Sequence, residues 1–287
     1  MRDGDQRGRH ARSAGGRLLV VAVVCSLAAL MVASAPVPKP LVAAHRGGAL
    51  LWPENSLTAF RQALALGVDY LETDVHLTAD GEVVVLHDPT LDRTTTGSGR
   101  VRAVRLVDLS SMRLRHRSGG LTQDAVPTLG QLLDLLGPSG AQLLLEIKVD
   151  ADRHRYPGIE EKALALVNAR GLADRTVIMA FEAETIRRIR ALQPSIRTAF
   201  LVGKARLDRE GVPARESVRW ARELGATQLG IDHRILDPGV VAAARAAGIE
   251  VGAWTVNEEP DLRTVIAARV DLVTSDRPDL ALRLLGR

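Results

Sequence analysis

The chain of 287 residues contains a single cysteine, Cys25, and it lies in an apolar run near the N-terminus. Nothing downstream of it can form a disulfide, so the rest of the chain depends on core packing for stability. Aromatic residues make up only 3%, too few for the stacking platforms that hold single-stranded nucleic acid. A sustained surplus of positive charge is missing too. The formal net charge is +4, but residues 1–17 carry Arg2, Arg7, Arg9, Arg12 and Arg17 against only Asp3 and Asp5. Taking five from 38 and two from 34 leaves 33 basic and 32 acidic residues downstream. A body so close to neutral offers no basic footprint for a nucleic acid. What the chain does have is apolar side chains, 46% of the total, enough for one large core or two modest ones.

The basic opening runs into residues 18–32, of which only Ser26 is polar, then Ala33-Ser34-Ala35 and prolines at 36, 38 and 40. A charged start, an apolar middle and a small-x-small exit predict a secretory signal peptide over residues 1–35, and so a secreted or extracytoplasmic protein. The alternative is an uncleaved membrane anchor, since residues 18–35 are of marginal length for a bilayer. Ala22-Val23-Val24 before Cys25 lacks the small residues of a lipidation site. Residues 36–40 read as a proline-rich join.

From residue 41 onward, short runs rich in Val, Leu and Ile alternate with amphipathic stretches. Strands are expected at 41–45, 70–76, 83–87, 143–148, 176–180, 198–202, 228–231, 250–254 and 271–274. Helical periodicity falls between most of them, at 56–66, 129–136, 159–169, 183–192, 214–224, 239–247, 260–268 and 278–285. This alternation predicts an α/β fold, a (β/α)8 TIM-type barrel over residues 41–287. Nine strands are one too many, and Asp80-Gly81 explains the surplus as a hairpin. With a two-residue loop, Ala79 pairs with Glu82 and Asp74 with His87, so His87 shares a face with Glu72 and Asp74. A three-residue loop would shift the register by one and turn His87 away. The two-residue register is the expectation. Residues 88–128 lack periodicity and read as an insertion forming a rim or lid over the barrel mouth.

Several strands deliver ionisable groups near one end. Glu72 and Asp74, two apart on a strand, point to the same side. Such carboxylates repel unless a cation lies between them, and one divalent ion with oxygen ligands, calcium or magnesium, is the natural occupant. Glu146 interrupts the apolar run Leu144-Leu145-Glu146-Ile147 and is the third candidate ligand. Lys148, two residues on, either pairs with Glu146 or contacts a phosphate, and Arg46 offers a rigid fork of donors for the same purpose. His45 and His87 end strands beside charged neighbours. Cleaving a phosphodiester needs a proton donor for the leaving oxygen and a base for the attacking one, and imidazole can serve as either. Trp254 and Phe181 are candidate walls of a substrate pocket. Asp88 either orients His87 or opens the next loop. Asn55 is expected to cap the following helix and Asp276 the last one, with His76, His116, His154 and His233 on the surface. The set points to phosphate-ester cleavage.

The order of these residues is familiar. His45-Arg46-Gly47, Pro53-Glu54-Asn55, Ala59-Phe60, Glu72-Thr73-Asp74-Val75, Asp80-Gly81 and Val85-Leu86-His87-Asp88 together resemble the glycerophosphodiester phosphodiesterase family. Arg93-Thr94-Thr95, Glu146-Ile147-Lys148 and Trp254-Thr255-Val256-Asn257 extend the likeness over nearly everything from residue 41 onward. The resemblance implies a TIM-type barrel that hydrolyses small glycerophosphodiesters to glycerol phosphate and an alcohol, with one bound Ca2+ or Mg2+. It implies His45 and His87 as the catalytic pair, Arg46 and Lys148 at the phosphate, and Glu72, Asp74 and Glu146 at the metal. Two departures stand out: Ser56 where threonine is common, and Ala180 before Phe181 where serine is frequent. Alternatives within reach of the same residues are a phospholipase D-like or lysophospholipid-cleaving barrel enzyme and a non-catalytic phosphodiester-binding protein. Membrane contact is expected only through an uncleaved N-terminal segment.

Overall fold

A computed structural model describes residues 39–287; the expected leader and the start of the proline-rich join lie outside the described residues. The strands are β1 (Leu41–Ala44), β2 (Tyr70–Leu77), β3 (Val83–Val85), β4 (Gln142–Ile147) and β5 (Thr176–Ala180). They continue with β6 (Arg197–Val202), β7 (Gln228–Asp232), β8 (Glu250–Trp254) and β9 (Leu272–Ser275). All but β3 run parallel in the order β1-β2-β4-β5-β6-β7-β8-β9, and β9 pairs back onto β1. The result is the closed eight-stranded barrel that the alternation predicts, with helices between the strands. Each expected helix is present within one or two residues. Two short ones, Leu106–Ser111 and Lys204–Glu210, were not evident from periodicity because each spans barely two turns. No described helix is long and apolar enough to cross a membrane.

Because successive strand residues point to opposite faces, the barrel has two distinct interiors. Val42, Leu71, Leu143, Ile178, Phe200 and Ile231 face outward and pack with helix residues such as Phe60, Leu132 and Ile186 in the main core. The inward residues Ala43, Tyr70, Leu144, Val177, Met179, Ala199, Leu201 and Leu272 form a separate apolar plug. Polar residues sit above the plug, toward the C-terminal strand ends, where barrel enzymes keep their chemistry.

The hairpin after β2 departs from the expected register. Val75 pairs with Val85, His76 with Val84 and Leu77 with Val83. The loop therefore has three residues, Ala79-Asp80-Gly81, with Gly81 at φ 78°. The Thr78 hydroxyl donates to Asp80 Oδ1 at 2.6 Å and accepts from the Glu82 amide at 2.9 Å, which holds the wider turn. In this register Asp74 lies opposite Leu86, whose amide donates to the Asp74 carbonyl at 3.0 Å.

Residues 88–128 have a small core of their own. Leu91, Val101, Leu109, Leu114 and Val126 pack on Val84 and Leu86 of the hairpin arm, largely apart from the main core. Leu91→Ala, which truncates a fully buried side chain, is expected to destabilise this unit by about 2–5 kcal/mol. Amide hydrogen exchange should then show protection lost over residues 88–128 while the β4–β9 amides stay protected.

Candidate active site

β1 ends at Ala44, and the chain turns at once through His45–Gly47 with Arg46 at φ 51° and Gly47 at φ 81°. A Cβ on Gly47 would come within 2.8 Å of Ala59 Cβ, so only glycine lets this turn press on the helix Leu57–Leu66. The left-handed Arg46 is held by its own amide, which donates to Glu72 Oε2 at 2.8 Å. This turn throws His45 and Arg46 over the barrel mouth.

Below them lie the carboxylates. The sheet register sets Asp74 beside Glu146 and Glu72 beside Leu144, one step deeper. Oxygens of Glu72, Asp74 and Glu146 fall within 4.8 Å of one another, and all three residues are buried. Burial, and then the charges of Asp74 and Glu146, push the Glu72 carboxyl well above its usual range. Burial also raises Glu146, against the pull of Lys148. Burial acts on Asp74 in the same sense, but Lys148, His87 and Arg46 outweigh it and hold that carboxyl far below its usual value. Lys148 Nζ lies 2.7 Å from Glu146 Oε1 and 3.0 Å from Asp74 Oδ1.

This trio fits a hard divalent cation. Its donors are all oxygen, and Asp74 Oδ1 is buried without a properly directed hydrogen bond. Among the described residues one other acidic group, Asp150, Asp152 and His154, has comparable spacing. There Asp150 is paired with Arg102 and Asp152 with Arg100, so its charge is already matched.

Each histidine is tied to a carboxylate. His45 Nδ1 donates to Asp276 Oδ1 at 2.6 Å, leaving Nε2 turned toward Glu72 Oε2 at 3.9 Å. Asp276 in turn accepts from Asn257 Nδ2 at 2.8 Å. Burial raises the Asp276 carboxyl, but the His45 hydrogen bond overrides it and the net shift is downward. His87 Nδ1 donates to Asp88 Oδ1 at 2.7 Å, and that bond is the main reason Asp88 stays ionised far below its usual range. In both imidazoles it is thus Nδ1 that the carboxylate engages, not Nε2.

His45, Arg46, Glu72, His87, Glu146, Lys148, Phe181 and Trp254 all line one cavity of about 650 Å3, part of it open to solvent. Asp74 lies just beneath that lining. Phe181 and Trp254 meet edge to face with centroids 5.5 Å apart. His87 therefore reaches the cavity despite the three-residue loop that was expected to turn it away. The reason is that β3 stops at Val85, so strand alternation no longer governs residue 87.

Several assignments made from sequence are corrected. His76 is fully buried, not on the surface. Burial lowers its pKa to about 4, so it is neutral. Its Nε2 can only donate to the His87 carbonyl, at 3.1 Å, which leaves Nδ1 to accept from Tyr156 Oη at 3.0 Å. His233 is half-buried, with Nδ1 donating to the Trp254 carbonyl at 3.3 Å. The helix cap is Ser56, not Asn55. Asn55, at φ 57°, turns inward to bridge Asp74 Oδ2 and Thr73 Oγ1. Asp276 makes no cap to the last helix. Glu54, which no periodicity singles out, accepts from both Arg46 and Arg93. Asp276 did carry a usable signal: it follows a barrel strand at its C-terminal end.

Buried carboxylates, two carboxylate-oriented imidazoles and fixed cations at the C-terminal mouth of a closed parallel barrel make up the equipment of a barrel phosphodiesterase. The model for the glycerophosphoryl diester phosphodiesterase family matches residues 45–280, and the chain belongs to that family. It is thereby a phosphoric diester hydrolase. A glycerophosphodiester phosphodiesterase of Caldanaerobacter subterraneus subsp. tengcongensis is 30% identical over 87% of this chain and 99% of its own. A solved Oleispira antarctica phosphodiesterase in complex with sn-glycerol-3-phosphate superposes with a TM-score of 0.72 at 27% identity, covering 87% of this chain and 98% of the other. The glycerophosphodiester phosphodiesterase of Agrobacterium tumefaciens gives 0.70 at 27% identity, over 85% and 99%.

The raised Glu72 has a measurable consequence. A carboxyl whose folded pKa lies above its unfolded value contributes stability that is complete below the unfolded value and is lost as pH rises through the folded one. Glu72→Gln removes that loss. In metal-free protein it is expected to raise Tm at pH 8 by roughly 2–4 °C, for about 1 kcal/mol. The advantage should vanish in melts at pH 4; an unchanged or lower Tm at pH 8 would contradict it.

Proposed function

We propose that the chain hydrolyses glycerophosphodiesters to glycerol phosphate and an alcohol, using one divalent cation and general acid–base catalysis by two histidines. The observation that carries this reading is the meeting of both imidazoles with Glu72 and Glu146 around one cavity, with a buried Asp74 oxygen within 4.8 Å of those two acids. Glu72, Asp74 and Glu146 would hold the cation, calcium or magnesium. When bound, it supplies Lewis-acid polarisation of a phosphate oxygen. Arg46 and Lys148 hold and neutralise the phosphate, the Arg46 guanidinium being set in place by Glu54 at 3.1 Å and Asp74 at 3.5 Å. One imidazole takes a proton at Nε2 from the attacking oxygen. The other, protonated, gives its Nε2 proton to the departing alkoxide oxygen, so the leaving group departs as an alcohol. Trp254 and Phe181 wall the substrate cavity. Among the described residues the large exposed apolar side chains, such as Val107 and Leu121, are scattered, and of them only Phe181 borders the cavity. That favours a short polar substrate over an acyl chain.

His45→Ala and His87→Ala should each lower kcat by about 10^2–10^4-fold with the circular dichroism spectrum retained. Wild-type turnover in either would remove that histidine from the mechanism. A chelator should stop release of glycerol phosphate, followed by phosphorus NMR, and added Ca2+ or Mg2+ should restore it. Residues 1–35 act, in this reading, as an export leader. N-terminal sequencing of protein recovered outside the cytoplasm is expected to begin after Ala35, whereas an intact N-terminus would mean an anchor.

A further inference from the structure

Beside the catalytic cavity lies a second, of about 1010 Å3 with part of it open to solvent, and His45 and Arg46 line both. The insertion supplies its outer wall with Arg93, Thr94, Arg115, His116 and Arg117. Glu54 and Asp276 also face it, but their charge is matched. Glu54 is forked by Arg93 at 2.8 Å and bonded by Arg46 at 3.1 Å, and Asp276 holds His45. Arg115 is set in place by backbone contacts: its amide donates to the Thr94 carbonyl at 2.8 Å and its Nε to the Thr95 carbonyl at 3.0 Å. Neither Arg115 nor Arg117 has a carboxylate partner among the described residues. Thr94 is only 5% exposed, yet its hydroxyl has no hydrogen-bond partner.

Two unmatched guanidiniums and an unpartnered buried hydroxyl suit a tetrahedral oxyanion, which accepts several directed hydrogen bonds at once. A buried hydroxyl left unsatisfied is a cost that such a ligand would relieve. We infer that this cavity receives the leaving alcohol and selects substrates whose leaving group bears a second phosphate. The inference rests on the hydrolytic reading above, with the scissile phosphate held at Arg46, the residue common to both cavities.

The test uses the full chain with its divalent cation and three diesters: glycerophosphocholine, glycerophosphoglycerol, and glycerophosphoglycerol carrying a terminal phosphate. The phosphate-bearing diester is expected to show a kcat/KM at least about tenfold above plain glycerophosphoglycerol, with the choline diester lowest. Arg117→Glu should cut that preference by about tenfold or more, Arg117→Lys should keep most of it, and Thr94→Val should reduce it several-fold. Equal kcat/KM for the three diesters, or a preference that survives Arg117→Glu, overturns the inference. So does loss of binding to anionic phospholipid vesicles in Arg117→Glu with the preference unchanged, since the arginines would then serve a membrane surface. Turnover of none of the three by the wild-type protein would strike the hydrolytic reading itself.

Discussion

Three carboxylates crowded into the mouth of the barrel are the constraint around which the rest is arranged. Left alone, Glu72, Asp74 and Glu146 would repel one another in a site with little water to screen them. Lys148 stands between Asp74 and Glu146, the Arg46 amide caps Glu72, and Asn55 reaches across to Asp74. Even so, compensation is uneven: Asp74 is held ionised while Glu72 and Glu146 are pushed toward protonation. A folded chain that keeps such a charge imbalance is carrying a site whose geometry suits a cation better than it suits the empty protein.

β2 makes this arrangement possible. It is long enough to serve two partners along one edge, β1 at its start and the antiparallel β3 at its end. The first pairing closes the barrel. The second carries His87 over the mouth and launches the insertion, whose arginines complete the adjoining cavity. His87 and the insertion thus both follow from the pairing at the far end of β2, where His76, one residue from that end, donates to the His87 carbonyl.

Much of this was readable in advance. The alternation of strand and helix, the surplus strand at Asp80-Gly81, and the i, i+2 carboxylates each follow from local periodicity. Register was not readable. A hairpin signal does not distinguish a two-residue from a three-residue loop, and here the Thr78 hydroxyl, bonded to Asp80 and Glu82, accompanies the longer one. The consequence drawn for His87 failed as well, because pleat alternation applies only while the strand lasts. His76 looked like a surface residue because nothing in the sequence shows that Tyr156, eighty positions away, will offer it a hydroxyl. Asn55 and Asp276 looked like caps because a polar residue before a helix normally is one.

The sequence by itself determined the architecture and the inventory of reactive groups, since both are written in short-range pattern: period two, period 3.6, and acids placed where apolar residues should be. Only the tertiary structure decided which groups face one another. Asp276 meets His45 across 231 positions because closing the barrel brings β9 beside β1. Which carboxylate stays charged, which histidine nitrogen a carboxylate engages and where unmatched arginines gather depend on distances and burial, and those exist only once the sheet has closed.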